Sequence, residues 1–277
     1  MAKQPASVGS RVRRPTQDRF DDEAVDSFDV PAAVLCAFCG QADCAGCLPG
    51  DVEDSGVVAI VPWERPGAGT WTRLWATANA STQGAETFFA ALPDGAIPPA
   101  MRFAILAEIL AVSSMIALLL PFVALALPTL TMEVVENPAM LYAALRWLAI
   151  GVPVLAAWMV AAHATHGAAL NVGASRNGGR TQRRRALRFG LYACGWDLMA
   201  GPLGAAVILF SKGWRAMGDL FNVSLHVPAK SSVALLHGVY GLRGDAVVRA
   251  RRAGSLAAFL IAATTGLIVV ALITLFA

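Results

Sequence analysis

Hydrophobic and polar positions divide the chain into three parts. Residues 1–30 show no apolar period. Residues 31–100 mix short apolar patches with Gly, Pro and charge, and residues 101–277 hold long apolar runs parted by short basic connectors. A helix needs roughly 20 apolar residues to cross a bilayer. Uncharged runs at 109–127 and 253–277 meet or approach that length. The pattern predicts helical spans at 103–127, 140–162 and 253–277. Between the first two, the connector 128–136 carries Glu133 and Glu136 and no Lys or Arg, which suits the outer side. Asn137-Pro138 then reads as an N-cap followed by proline at the first helical position.

The connector 171–188 sets the orientation. It holds Arg176, Arg180, Arg183, Arg184, Arg185 and Arg188 and no acid. Short loops rich in Lys and Arg stay cytoplasmic because translocating them is costly. As a single crossing, the next stretch would send Lys212, Arg215, Lys230, Arg243, Arg249, Arg251 and Arg252 to the outer side. A short hairpin turning at 201–204 keeps them inside. The prediction is an all-α integral membrane protein with about five transmembrane helices, the third and fourth as that hairpin. The amino end lies inside and the carboxyl end outside. Residues 231–242 read as a short surface helix.

Composition agrees with this class. The chain is 56% hydrophobic and 15% charged, against about 45–50% and about 25% in soluble domains. Mean hydropathy is +0.57. A net charge of +3 is compatible with a nucleic-acid binder. The arginines flank apolar runs, however, as topology signals do, so no nucleic-acid partner is expected. The first apolar run begins only after about a hundred residues, which predicts no secretory leader.

Residues 1–30 carry basic residues first and acids after, and bury too little apolar surface to offset ordering. They read as a disordered charged tail. Residues 31–52 hold Cys36, Cys39, Cys44 and Cys47, two Cys-x-x-Cys pairs four residues apart. Four soft thiolates in tetrahedral array suit structural Zn2+ and leave no open coordination position. An iron–sulfur site and redox disulfides are the alternatives; a cytoplasmic location disfavours the disulfides. Residues 53–100 read as a linker and an interfacial amphipathic segment. Trp71, Leu74, Trp75 and Ala78 follow helical spacing, and Trp63, Phe88 and Phe89 add aromatic weight. Trp63, Trp71, Trp75, Phe88 and Phe89 are predicted interfacial anchors, with packing on the protein's own surface as the competing reading.

The layout resembles the YIP1 family of multi-span membrane proteins, in particular bacterial members with a Cys-x-x-Cys-Gly knuckle ahead of the membrane domain. The matching residues are Cys36-Ala37-Phe38-Cys39-Gly40, Cys44-Ala45-Gly46-Cys47, Pro62-Trp63-Glu64-Arg65, Trp71, Leu74-Trp75 and Phe88-Phe89. His163 and the Gly-rich loop after it also match. The resemblance covers roughly 36–277, with residues 101–277 as the membrane domain. It implies a five-span helical domain with no known enzymatic reaction; the expected location is a bacterial inner membrane. A traffic role attaches to eukaryotic members of the family. The polar residues Lys212, Arg215 and Asp219, and the long segment 222–252, depart from the family pattern.

Ionisable residues inside spans are functional candidates, because their burial is costly. Glu108 and His163 fall at comparable depths, as do Arg146 and Asp197, which predicts two pairs between antiparallel helices. A proton path, or a metal site using His163, His166 and Glu108, is the functional alternative to helix register. Cys194 is read as an apolar filler. Small residues at Gly190, Ala193, Gly195, Ala200 and Gly204 would admit close helix packing. No His-Glu-x-x-His, phosphate loop or Gly-x-Ser-x-Gly occurs. The leading expectation is a non-enzymatic membrane scaffold that recruits a cytoplasmic protein partner through its zinc-stabilised module. A homo-oligomer is compatible with it. A small-solute or ion transporter comes second and an intramembrane enzyme third.

Overall fold

The computed structural model describes residues 61–276, with side chains through residue 267 and at 274, and a short antiparallel pair of strands. The strands are β1 (Leu35–Cys36) and β2 (Val57–Val58), with Leu35 opposite Val58. Apart from that pair the described chain is helical: a 3-10 turn at Pro62–Glu64, then α1 (Thr70–Thr82), α2 (Ala85–Ala90), α3 (Ile97–Ala126), α4 (Pro128–Glu136), α5 (Pro138–Arg176), α6 (Arg183–Ala200), α7 (Pro202–Gly238) and α8 (Asp245–Phe276).

Helix α6 is the centre of a packed base. Every residue from Phe189 to Trp196 is buried, as are Ala186, Arg188, Leu198 and Met199. α1, the first half of α3, the last half of α5, and α7 surround it. Its first turn carries Arg183, Arg184 and Arg185, the wrong sign for a helix N-terminus, and no side chain caps it. Packing, not local preference, therefore holds this helix. Glycine permits the closest contact. A Cβ on Gly190 would collide with the His163 carbonyl, and one on Gly167 with the Ala186 carbonyl, so α5 and α6 touch backbone to backbone. Aromatic rings fill the rest: Phe89 meets Phe189 at 4.7 Å between centroids and Trp196 at 6.0 Å, and Trp63 meets Phe103 at 5.8 Å, all edge-on.

Beyond the base the same helices become an apolar shaft. On α3 the last buried residue is Val112, and Leu118, Leu119, Leu120, Phe122, Val123 and Leu125 are exposed. On α5 burial begins only at Ala156, after exposed Leu145, Trp147, Ile150 and Val154. From 112 to 126 and from 138 to 156 these shafts rise about 21 and 27 Å at 1.5 Å per residue, against a hydrocarbon core of roughly 30 Å. α3 and α5 are long and apolar enough to cross a membrane, and the bent pair α6–α7 adds a third crossing if counted as one span. This fits an integral membrane protein. Of the predicted span 253–277, residues 253–276 fall on α8.

Several expectations change. Residues 128–136 form helix α4, not a loop. Residues 171–176 continue α5, and residues 183–188 open α6, so the arginine connector shrinks to 177–182. At Gly201 the α6–α7 pair bends by 61° instead of reversing. α7 is interrupted at Gly213, whose φ of 83° suits a residue without a Cβ. The excursion nevertheless closes on its starting point. Asn171 Oδ1 accepts from Gln182 N, just before α6, and from the Tyr240 hydroxyl, just after α7, each at 2.9 Å. Arg249 Nε donates to Asn177 Oδ1 at 3.0 Å. Both basic connectors therefore meet at one end of the molecule. Residues 231–238 are not a surface helix: Ser231, Ser232, Leu235 and Leu236 are buried at the end of α7.

Residues 61–100 pack as part of the base. Of the predicted interfacial anchors, Trp63 is 9% exposed and donates through Nε1 to the Pro99 carbonyl at 2.8 Å, and Phe89 is wholly buried. These two are core residues. Trp75 and Phe88 are half-buried, and Trp71 alone among the five is exposed. The helical spacing of α1 is as the sequence predicts, but its buried stripe is Leu74, Thr77, Ala78 and Ser81, which rotates the Trp pair to the rim.

Candidate functional site

Three helices bring ionisable side chains to one point. Glu108 on α3 lies about 16 Å along its helix from Ile97. His163 on α5 and Asp197 on α6 lie about 20 Å from the basic ends of theirs, at Arg176 and Arg183. The shared rise per residue sets them level, where the packed base gives way to the shaft. His163 Nε2 donates to Asp197 Oδ2 at 2.9 Å and lies 3.6 Å from Glu108 Oε1. The His163 ring also stands edge-on to Trp196, 5.7 Å between centroids.

Glu108 is 1% exposed, and no donor reaches its oxygens at full hydrogen-bond geometry, though Cys194 and Asp197 lie close to it. Cys194, one turn before Asp197 on α6, is buried beside it. The ligand atoms of Glu108, His163 and Cys194 lie within 4.8 Å of one another. Asp197 is the open side, its side chain 34% exposed. Two carboxylates face one imidazole. A net charge buried there is costly. Such a centre can take up a proton or a metal cation.

The predicted pairing is partly redrawn. Glu108 and His163 do approach each other. Asp197 meets His163 instead of Arg146, which is exposed on the shaft of α5. The expected place of Asp197 near an outer turn fails because the chain does not reverse there. His166 is engaged elsewhere: its Nδ1 donates to the Gly254 carbonyl at 3.1 Å, and its Nε2 lies 3.3 Å from Ser232 Oγ. It ties α5 to α7 and α8 and does not join the Glu108 centre. Cys194, read from sequence as filler, does. Its i, i+3 spacing to Asp197 is the signal that places both on one helix face. Cys39, Cys44 and Cys47 lie outside the described residues, and of Cys36 only the strand backbone is described.

A second ionic cluster was hidden among the topology arginines. Arg188 is fully buried; its Nη1 pairs with Glu64 Oε1 at 3.0 Å and donates to the Ala96 carbonyl at 2.9 Å, and its Nη2 donates to Glu64 Oε2 at 3.1 Å. The Tyr192 hydroxyl donates to Glu64 Oε1 at 2.6 Å. This bidentate pair fixes the 3-10 turn onto α6. Sequence reasoning missed it because Arg188 is indistinguishable by pattern from its exposed neighbours. At the basic end, burial of the Tyr240 hydroxyl raises its pKa from 10.0 to about 12. No protein-family model, curated protein or solved structure matches the chain.

Proposed function

We propose that the protein is a non-enzymatic, multi-pass membrane scaffold whose packed base sits at the inner face of the bilayer. The observation that carries this is the change from buried to exposed apolar surface on α3 and α5, at the level of Glu108 and His163. The base spends its buried charge on holding helices together: Glu64 with Arg188, and His163 with Asp197. On this reading the basic end faces the cytoplasm of a bacterial inner membrane, as the positive-inside rule favours. The Cys36–Cys47 module, holding structural zinc, recruits a cytoplasmic protein. Membership of the YIP1 family belongs to the same proposal. It rests on the short motifs at Cys36–Cys39, Pro62–Arg65 and Phe88-Phe89.

One observation favours a second reading, cation transport: two carboxylates converge on His163. Flux through the full-length protein in sealed liposomes separates the two. The scaffold reading expects no proton or divalent-cation flux above empty vesicles. A flux that Glu108→Gln abolishes, with the variant still monodisperse, replaces the scaffold with a transporter. Proximity labelling in cells from the amino end should mark a partner set that is lost when Cys36, Cys39, Cys44 and Cys47 become Ser. An unchanged set removes the role given to those thiols.

A further inference from the structure

We propose that Glu108, His163 and Cys194, with Asp197 as fourth donor, form a binding site for a divalent transition metal of the zinc class between α3, α5 and α6. This site is separate from the Cys36–Cys47 cluster and independent of the scaffold reading. Its donors come from three helices, and the ligand atoms of the first three lie within 4.8 Å of one another. The edges of a tetrahedral zinc site are about 3.3–3.8 Å, given metal–ligand bonds of about 2.0–2.3 Å. Closure thus requires movements of about 1 Å, within reach of side-chain torsions.

A carboxyl that is 1% exposed points into this space, with the Cys194 thiol and Asp197 as its close neighbours and no donor at full hydrogen-bond geometry. Such a group costs stability unless something satisfies it. His163 does not do so at 3.6 Å, because its Nε2 proton is directed to Asp197 at 2.9 Å. A cation at the centre gives Glu108 and Asp197 a shared positive partner.

The donor set selects the cation. One imidazole nitrogen, one thiolate sulfur and two carboxylates are too soft and too few for Ca2+ or Mg2+, which take six or more oxygens. They match zinc and its cobalt analogue. The metal takes the place of the Cys194 thiol proton and of any proton on Glu108, which go to solvent, while His163 binds as the neutral imidazole with its ring proton on Nδ1. Nothing is oxidised or reduced. Asp197 is the entry side, since its side chain is 34% exposed while Glu108 and Cys194 are closed off. His166 has no part, being held by Gly254 and Ser232.

Metal content of the full-length protein in detergent micelles, loaded with Co2+ or Zn2+ and desalted, tests this. The unaltered chain should hold one equivalent more than Cys194→Ala, Glu108→Gln or His163→Gln. His166→Gln should match the unaltered chain. Asp197→Asn should weaken the affected site about 10–100-fold. Equal metal content in the unaltered chain and in folded Cys194→Ala and His163→Gln overturns the proposal. Should those variants fail to fold, zinc-edge X-ray absorption on the unaltered chain decides. Mixed sulfur and nitrogen/oxygen ligation supports the site, and pure four-sulfur ligation overturns it.

Discussion

Both halves of α3 are apolar, the inner one interrupted by Arg102 and Glu108, and they do opposite things. In the inner half Ala100, Phe103, Ala104, Ala107, Glu108, Ala111 and Val112 face α6 and are buried. In the outer half Leu118, Leu120, Phe122 and Leu125 point away from the molecule, Leu125 at 80% exposure. α5 repeats this in reverse order. The inner halves are rich in Ala and Gly at three- and four-residue steps, and the outer halves in Leu, Val and aromatics. Small side chains let backbones touch, while large ones fill lipid-facing surface. The base therefore gets its stability from packing and buried ion pairs; the shaft leaves its solvation to the bilayer. In each most apolar window only 11% is buried inside the molecule.

The strongest way to break this contrast is to remove one arginine from each region. Arg188→Ala leaves Glu64 with Tyr192 alone beneath the base, and losing one partner of a buried pair costs about 3–5 kcal/mol. Arg146→Ala, on the exposed face of α5, should stay within about 0.5 kcal/mol. Thermal unfolding in one detergent compares them. If both behave alike, the base is not held by its ion pair. Restoration by Glu64→Gln in the Arg188→Met background would show that the penalty comes from the stranded carboxylate.

Next in size is a pH effect confined to the base. Burial pushes the Tyr240 phenol up from its ordinary 10.0 to about 12 in the folded chain. Above pH 10 the unfolded chain ionises this phenol while the folded chain keeps its proton. The folded state then binds more protons, so stability falls with rising pH. The stabilisation is whole below pH 10 and is lost between about 10 and 12, amounting to about 2–3 kcal/mol at 1.36 kcal/mol per unit. Tyr240→Phe should flatten that part of the melting-temperature profile. A profile unchanged by the substitution would mean that the phenol is not shielded beside Asn171.

How much of this was legible in the sequence follows from the same contrast. Hydropathy marks α3 and α5, and the arginine connectors mark the end where they meet, because both signals are local. The base is not local. Trp63 and Phe89 look like interfacial anchors by composition, and only the arrival of Phe103 and Trp196 makes them core. Arg188 differs from the exposed Arg184 in facing Glu64, 124 positions away. Of the candidate centre, depth along the helices was enough to bring Glu108 toward His163. The sequence places Asp197 beside a reversal, where the chain instead bends by 61°. The chain still returns to Asn171, so the grouping of basic connectors stands although the turn was put in the wrong place.

Glycine positions sharpen the comparison further. Gly190→Ala drives a Cβ into the His163 carbonyl, and overpacking of this kind costs about 1–3 kcal/mol. Gly151→Ala meets nothing within 4 Å on the shaft of α5. It replaces a helix-interior glycine with a better helix former and should stabilise slightly. Opposite signs in a melting experiment are the expected outcome. Equal signs would mean that α5 and α6 can separate without cost.

The smallest effect belongs to the shaft's own polar contact. Trp158 Nε1 donates to Thr265 Oγ1 at 3.0 Å and links α5 to α8. In water such a bond is worth about 1 kcal/mol. In a membrane a larger value is expected at first sight, since hydrocarbon offers no replacement partner. Interhelical hydrogen bonds there average only about 0.6 kcal/mol, because the unfolded chain in the bilayer also finds partners. Thr265 keeps one regardless: its hydroxyl donates to the Ile261 carbonyl at 2.8 Å within α8. A double-mutant cycle with Trp158→Phe and Thr265→Val in bicelles should therefore return a coupling near 0.6 kcal/mol. A coupling several times larger would make this bond the shaft's equivalent of the Glu64–Arg188 pair. The division between a base held by buried charge and a shaft held by lipid would then fail at its simplest point.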